Sequence, residues 1–369
     1  MNNNIFVTKP SLPPLVEYIP YLEKIWESKV LTNNGQFHKQ LEAELCDYLG
    51  VKYISLFCNG TIALITALQA LRITGEVITT PFSFVATTHS LWWNNIKPVF
   101  VDIDPDNFTL DPAKIEAAIT PRTTAILPVH VYGNPCMVYE IKKIADSYGL
   151  KVIYDACHTF GETVNNLPLL NFGDLSVLSF HATKVFTTFE GGAIVCHDEA
   201  TKKHIDHLKN FGFANETTVV IPGINAKMNE FQAALGLLQL KYVDNYIALR
   251  KGISDKYRNG LKNIKGLSYI NDMHGVRRSY TSFPVLIKEH QYGKERDQVY
   301  EELKELKIFA RRYFFPLISQ FPAYRELESS SQENLPVAHK VTNEILCLPL
   351  YPELGDDRID QIIQHLRNS

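Results

Sequence analysis

Between about residue 50 and residue 200, short apolar, β-branched runs alternate with helix-like stretches: YISLF (53–57), EVITT (76–80), PVFVDID (98–104), TAILPVH (124–130), KVIYDA (151–156), LSVLSF (175–180) and GAIVCH (192–197). These runs are apolar on both faces and do not alternate, the pattern of strands covered by helices on each side, so they predict an α/β fold with a mostly parallel sheet. Ligands of such a sheet bind beyond the carboxyl ends of its strands. After about residue 200, in NEFQAALGLLQLKYVDNYIALRKGISDKYRNGLKNI, apolar positions recur at three- and four-residue spacing and predict long helices. SYTSFPVLI (279–287) and the helix-like QVYEELKEL (298–306) then point to a smaller α/β lobe. No Gly/Ser- or Pro-rich linker marks a boundary, which places it inside a long helix. The expected division is a large domain over 1–245, with an entry segment 1–35, and a small domain over 246–369.

A length of 369 residues agrees with two lobes, and 45% hydrophobic residues are ample for a large core. The formal charge is −3 without long runs of either sign, so a basic field that would bind nucleic acid or a membrane surface is not expected. The start, MNNNIFVTKPSLPP, lacks the pattern of a secretory signal, and no stretch approaches a membrane span. Six scattered cysteines without a CxxC pair suggest reduced thiols and a cytoplasmic location.

Three places carry candidate chemistry. Asn59-Gly60-Thr61 lies between a strand and a helix, where backbone N–H groups and a hydroxyl can converge on an anion; an ordinary capped turn would look the same. The P-loop and GxGxxG patterns are absent. Asp155 closes the strand KVIYD, where a carboxylate is expensive to desolvate unless a cation meets it or it caps a helix. Lys184, in Ser179-Phe180-His181-Ala182-Thr183-Lys184, follows another apolar strand, a place for a lysine that is neutral, engaged in a Schiff base, or salt-bridged to Asp155. His181 has no second ligand at metal-site spacing, so no metal is expected. With Phe84 as a flat stacking partner, an anion cradle, a carboxylate and a lysine together describe pyridoxal 5'-phosphate: phosphate, ring nitrogen, aldehyde and ring face each find a partner.

The same residues resemble the fold-type I, pyridoxal-phosphate-dependent sugar aminotransferases of the DegT/DnrJ/EryC1 family. The resemblance covers nearly the whole chain, from Leu31-Thr32-Asn33-Asn34-Gly35 through NGT, PFSFVAT, PVFVDID, ITPRTTAILPVHVYG, DACH, SFHATK, EGG and GINAKMNEFQAALGLLQL to the closing LPLYP. It implies that Lys184 carries the covalent link to the cofactor and moves the proton, and that Asp155 keeps the ring nitrogen protonated. His158, where relatives usually have Gln, would sit by the ring hydroxyl. Phe84 would stack on the ring, and Gly60, Thr61 and Ser179 would bind phosphate. Asn225 would reach the cofactor of a second subunit, which implies a homodimer with active sites at the interface.

Asn33, His181, Lys227 and Tyr313 are the implied substrate contacts. Lys227 replaces the usual Arg, exchanging a bidentate anion clamp for a point charge. Cys157 replaces an Ala of the motif and reads as a small packed residue, and Ile318 stands where many relatives carry His.

The implied reaction takes an amino group from L-glutamate to a nucleotide-linked, dTDP-carried 4-keto-6-deoxyhexose, giving a 4-amino-4,6-dideoxyhexose for surface-polysaccharide (O-antigen or lipopolysaccharide) synthesis. The segments NGTIALITALQALRITGEVITTP and SFHATKVF resemble members that form dTDP-4-amino-4,6-dideoxyglucose, which favours C4. Amination at C3 of a 3-keto sugar and a cofactor-binding regulatory relative are the alternatives. Lys184 argues against the dehydratase branch, in which His replaces it, and the missing glycine fingerprint argues against a nicotinamide oxidoreductase.

Overall fold

The structure is a computed structural model that describes residues 4–368; residues 1–3 of the expected entry segment and residue 369 of the expected small domain lie outside the described residues. The seven apolar runs are the seven strands of one sheet, in the order Tyr53–Phe57, Gly192–Cys196, Leu175–Ser179, Lys151–Asp155, Thr123–Leu127, Glu76–Thr79, Lys97–Phe100. Six run in one direction, and Gly192–Cys196 is antiparallel to both of its neighbours. That reversal brings Gly192, the start of its strand, to the end of the sheet where the other strands finish.

Side-chain alternation decides what each face packs against. Ile54, Leu56, Leu178, Ala193 and Val195 pack with the helices Gln36–Leu49 and Glu230–Leu240, while Phe57, Ile153, Val177 and Ile194 pack with Gly60–Ala70. Asp155, two residues after Ile153, shares that second face, towards Gly60–Ala70 and the helix Ala86–Trp93.

The helix Val243–Leu261 carries the chain out of this lobe. The later residues build an antiparallel sheet, Leu267–Tyr269, Phe283–Ile287 and Ile345–Leu348, backed by helices. Two strand pairings join the early and late parts of the chain: Ile5–Phe6 pairs in parallel with Ile308–Phe309, and Val276–Arg277 pairs with Thr163–Val164. The first strand of the expected entry segment thus pairs with a strand of the late part of the chain. Among the described residues no helix is long and apolar enough to cross a membrane, and no group of three or more His, Cys, Asp or Glu could hold a metal ion.

Candidate active site

The strand ends and the turns that follow them form the site. Asn59 caps the helix Gly60–Ala70, its side chain accepting from the Ile62 N–H at 2.9 Å. The Gly60 and Thr61 N–H groups have no acceptor among the described residues and point out of the first helical turn. Glycine is required here by close approach. A Cβ on Gly60 would stand 3.0 Å from Ser179 Cβ, and one on Gly192 would stand 2.7 Å from Asn59 C and O and from Gly60 N. The structure therefore brings Gly60, Thr61 and Ser179 together, with the Gly192 strand behind them. The Ser179 hydroxyl lies at this junction and accepts from the His181 N–H at 3.4 Å.

Asp155 is 5% exposed, and each carboxylate oxygen has a donor: the Thr87 hydroxyl at 2.7 Å on Oδ2 and the Cys157 N–H at 3.2 Å on Oδ1. Thr87 is itself bonded to Ser83 Oγ at 2.8 Å, so the first turn of Ala86–Trp93 orients the carboxylate. Lys184 lies beyond the strand end, in a turn closed by its own N–H donating to the His181 carbonyl at 2.9 Å. Its Nζ has no hydrogen bond or ion pair among the described residues, and the structural salt bridge to Asp155 is not formed. Burial pushes the Lys184 amine below its ordinary value, while Cys157 and Asp155 pull the other way. A lowered amine is more often neutral and nucleophilic at neutral pH. Burial, followed by Asp155, drives the Cys157 thiol well up, which keeps it protonated and unreactive.

His158 accepts the Tyr132 N–H on Nδ1 at 3.2 Å. Burial and the neighbouring Lys184 hold the imidazole well below its ordinary value, so it is neutral, with its proton on Nε2. The Phe314 ring stacks at 6.3 Å from His158 and 5.9 Å from Tyr132. Tyr313 joins this wall because the Tyr132 hydroxyl donates to its carbonyl. Phe84 is 59% exposed just ahead of Ala86–Trp93, and its ring meets no other ring among the described residues. Ile318 is buried in the core and donates its N–H to the Pro81 carbonyl at 3.1 Å, so it packs the site loop and offers no polar contact.

The remaining predicted residues lie at the rim. His181 bonds Thr183 and stands 3.5 Å from Glu190. Lys227 donates to Asn225 and Asn210 at 2.8 Å each and lies 5.0 Å above the Phe211 ring. Burial and Lys209 lower its amine. Asn33 sits in a left-handed turn at φ 64°, between Leu31, whose carbonyl accepts the Glu230 N–H at 2.9 Å, and the helix start where the buried Glu230 carboxylate accepts the Phe37 and His38 N–H groups at 2.8 and 3.0 Å. No hydrogen bond or ion pair links Asn33, Asn225 or Lys227 to Asp155, Lys184 or His158 among the described residues. Thr87, Tyr132, Phe314, Glu162 and Glu230 escaped the sequence reading of roles, although Thr87 ends the PFSFVAT run and Glu230 the AKMNE run.

A free lysine amine, a doubly bonded carboxylate and an open helix start are the donor set of a phosphorylated aldehyde with a basic ring nitrogen. The model of the DegT/DnrJ/EryC1/StrS aminotransferase family matches residues 16–367. The chain is 53% identical over 366 residues to a dTDP-4-amino-4,6-dideoxy-D-glucose transaminase of Escherichia coli, covering 99% of this chain and 98% of that protein. It superposes on the crystal structure of DesI with its TDP-sugar product at a TM-score of 0.95 and 35% identity, covering 100% of this chain and 93% of that one. The Helicobacter pylori aminotransferase PseC, involved in pseudoaminic acid biosynthesis, is 28% identical at a TM-score of 0.92, covering 99% of each chain. The chain belongs to the DegT/DnrJ/EryC1/StrS family of sugar aminotransferases, enzymes of the pyridoxal-phosphate-dependent type.

Proposed function

We propose that this chain binds pyridoxal 5'-phosphate and transfers an amino group from L-glutamate to C4 of a dTDP-linked 4-keto-6-deoxyhexose, working as a cytoplasmic homodimer. The observation that carries the cofactor reading is the unengaged Lys184 amine beside an Asp155 carboxylate whose two oxygens are already oriented by Thr87 and Cys157. The full-length likeness to a transaminase named for the 4-amino product supports C4 over C3.

Pyridoxal phosphate supplies an aldehyde that links to amines and a ring that accepts the electrons released when a neighbouring C–H loses its proton. Each residue then has a defined task. Asp155 keeps a proton on the ring nitrogen, since Thr87 and Cys157 N hold the carboxylate in place and its charge is costly to leave unmet. Lys184 Nζ, lowered by burial, takes the proton from the donor carbon and returns it to the acceptor carbon. The Gly60 and Thr61 amides and the Ser179 hydroxyl bind the phosphate at the helix start. Phe84 would cover the ring face, and His158, with its proton on Nε2, would donate to the ring hydroxyl. Asn225 serves the cofactor of the second subunit. Asn33, His181, Lys227 and Tyr313 hold the sugar nucleotide, because a chain of net charge −3 must bind a diphosphate through local groups.

Product analysis by NMR with dTDP-4-keto-6-deoxyglucose and its 3-keto isomer tests the regiochemistry. Nitrogen on C4 is expected, and nitrogen on C3 overturns the assignment. Borohydride treatment of the cofactor-loaded protein should fix the cofactor to wild type and not to Lys184→Ala; a surviving adduct reassigns the lysine. A visible band that persists with every amino donor refutes aminotransfer.

A further inference from the structure

The ribbon between the lobes, Val276 opposite Val164 and Arg277 opposite Thr163, runs directly into Glu162 on one strand and Arg278-Ser279 on the other. Glu162 is 2% exposed. Its Oε1 accepts the Ser279 N–H at 2.9 Å and the Ser279 hydroxyl at 2.7 Å, and that hydroxyl also stands 3.4 Å from the His158 carbonyl. Oε2 is buried without a partner among the described residues. Gly133, at φ +79°, packs against the same carboxyl: a Cβ there would lie 2.6 Å from Glu162 Oε1 and 3.3 Å from the His158 carbonyl. From the other side Arg278 donates to the Tyr132 carbonyl at 3.1 Å and to Asn134 Oδ1 at 2.8 Å. The Tyr132–Gly133 peptide is thus clamped between Glu162 and Arg278, and the adjoining Val131–Tyr132 peptide supplies the N–H that occupies His158 Nδ1.

We propose that Glu162 is a positioning residue for His158: through Ser279, which it holds against the His158 carbonyl, and through Gly133 it fixes Tyr132, whose N–H occupies Nδ1, and so leaves the imidazole proton on Nε2, towards the cofactor. The effect on the cofactor rests on the function proposed above, whereas the effect on the imidazole belongs to the protein alone. A positioning role of this kind makes a ring nitrogen the better donor by fixing the bond at the other one. It also places a joint between the lobes directly behind a site residue.

The test is ¹⁵N NMR of His158 in the full-length protein, first without and then with added pyridoxal phosphate. Wild type should show a neutral Nε2–H ring that does not titrate between about pH 5 and 8. Glu162→Ala and the milder Ser279→Ala, which removes only the hydroxyl, should show mixed tautomers and a roughly tenfold weaker cofactor affinity. Glu162→Gln keeps an acceptor oxygen and should restore the wild-type spectrum. A wild-type His158 spectrum in folded Glu162→Ala or Ser279→Ala overturns the proposal; if Glu162→Ala does not fold, Ser279→Ala decides alone. Should the tautomer shift occur while wild type fails to bind pyridoxal phosphate, the positioning role stands and the cofactor reading falls.

Discussion

Substituting Gly192 by Ala tests the geometry of the phosphate cradle without touching a polar group. The added methyl would meet Asn59 C and O and Gly60 N at 2.7 Å, all of them backbone atoms that cannot rotate away. Carbon contacts are comfortable at about 3.5 Å or more, so the Asn59-Gly60 turn or the strand Gly192–Cys196 must give by several tenths of an ångström. Forcing one methyl into such packing costs about 1–3 kcal/mol. In the free protein the turn relieves the strain by moving outward, but an anion bound on the Gly60 and Thr61 amides requires the original position. The strain then appears as lost affinity, roughly 5- to 150-fold for pyridoxal phosphate. The assay is an absorbance titration of the cofactor-free protein, with a thermal melt to confirm folding. Gly252→Ala is the control, since a Cβ there meets nothing within 4 Å. Wild-type affinity in a folded Gly192→Ala protein would refute the assignment of this turn as the phosphate site.

Other substitutions probe the supports of the site. Thr87→Val removes a buried 2.7 Å hydrogen bond to the Asp155 carboxylate and should cost about 1.5–3 kcal/mol, read as a lower melting temperature and weaker cofactor binding; no change in either would show that Thr87 does not orient Asp155. Burial raises the Glu162 carboxyl from 4.5 to about 7, so the folded protein binds that proton more tightly than the unfolded chain, and stability is lost as pH rises from about 4.5 through 7. Up to about 3 kcal/mol is involved, or about 4 °C for a chain of this length. Glu162→Gln should therefore gain on wild type across that window, and parallel melting curves would contradict the assignment. Glu230→Ala orphans the Phe37 and His38 N–H groups at the start of Gln36–Leu49 and should lower stability by about 2–4 kcal/mol, measurable as a lower melting temperature; an unchanged melting temperature would show that the carboxylate does not cap this helix.

Much of the lobe that carries the site was legible in the chain. Seven runs of apolar, β-branched residues became seven strands, and Asp155 and Ser179 could be placed at strand ends because each closes such a run. The reversal of Gly192–Cys196 was not legible, since an apolar run reports burial on both faces and says nothing of direction. Lys184 could be placed only as following a buried strand; the strand stops at Ser179, and the turn that carries the lysine onward is set by the fold.

Local pattern alone determined the strands, the helices and the residue types able to do this chemistry, because hydrophobic periodicity and turn residues act over a few positions. Tertiary structure alone decided which groups support them. Thr87 reaches Asp155 across 68 positions and Ser279 reaches Glu162 across 117, and such partners are selected by the folding of strands and lobes against each other. A buried carboxylate demands a donor from somewhere in the chain, but only the packed fold determines which one arrives.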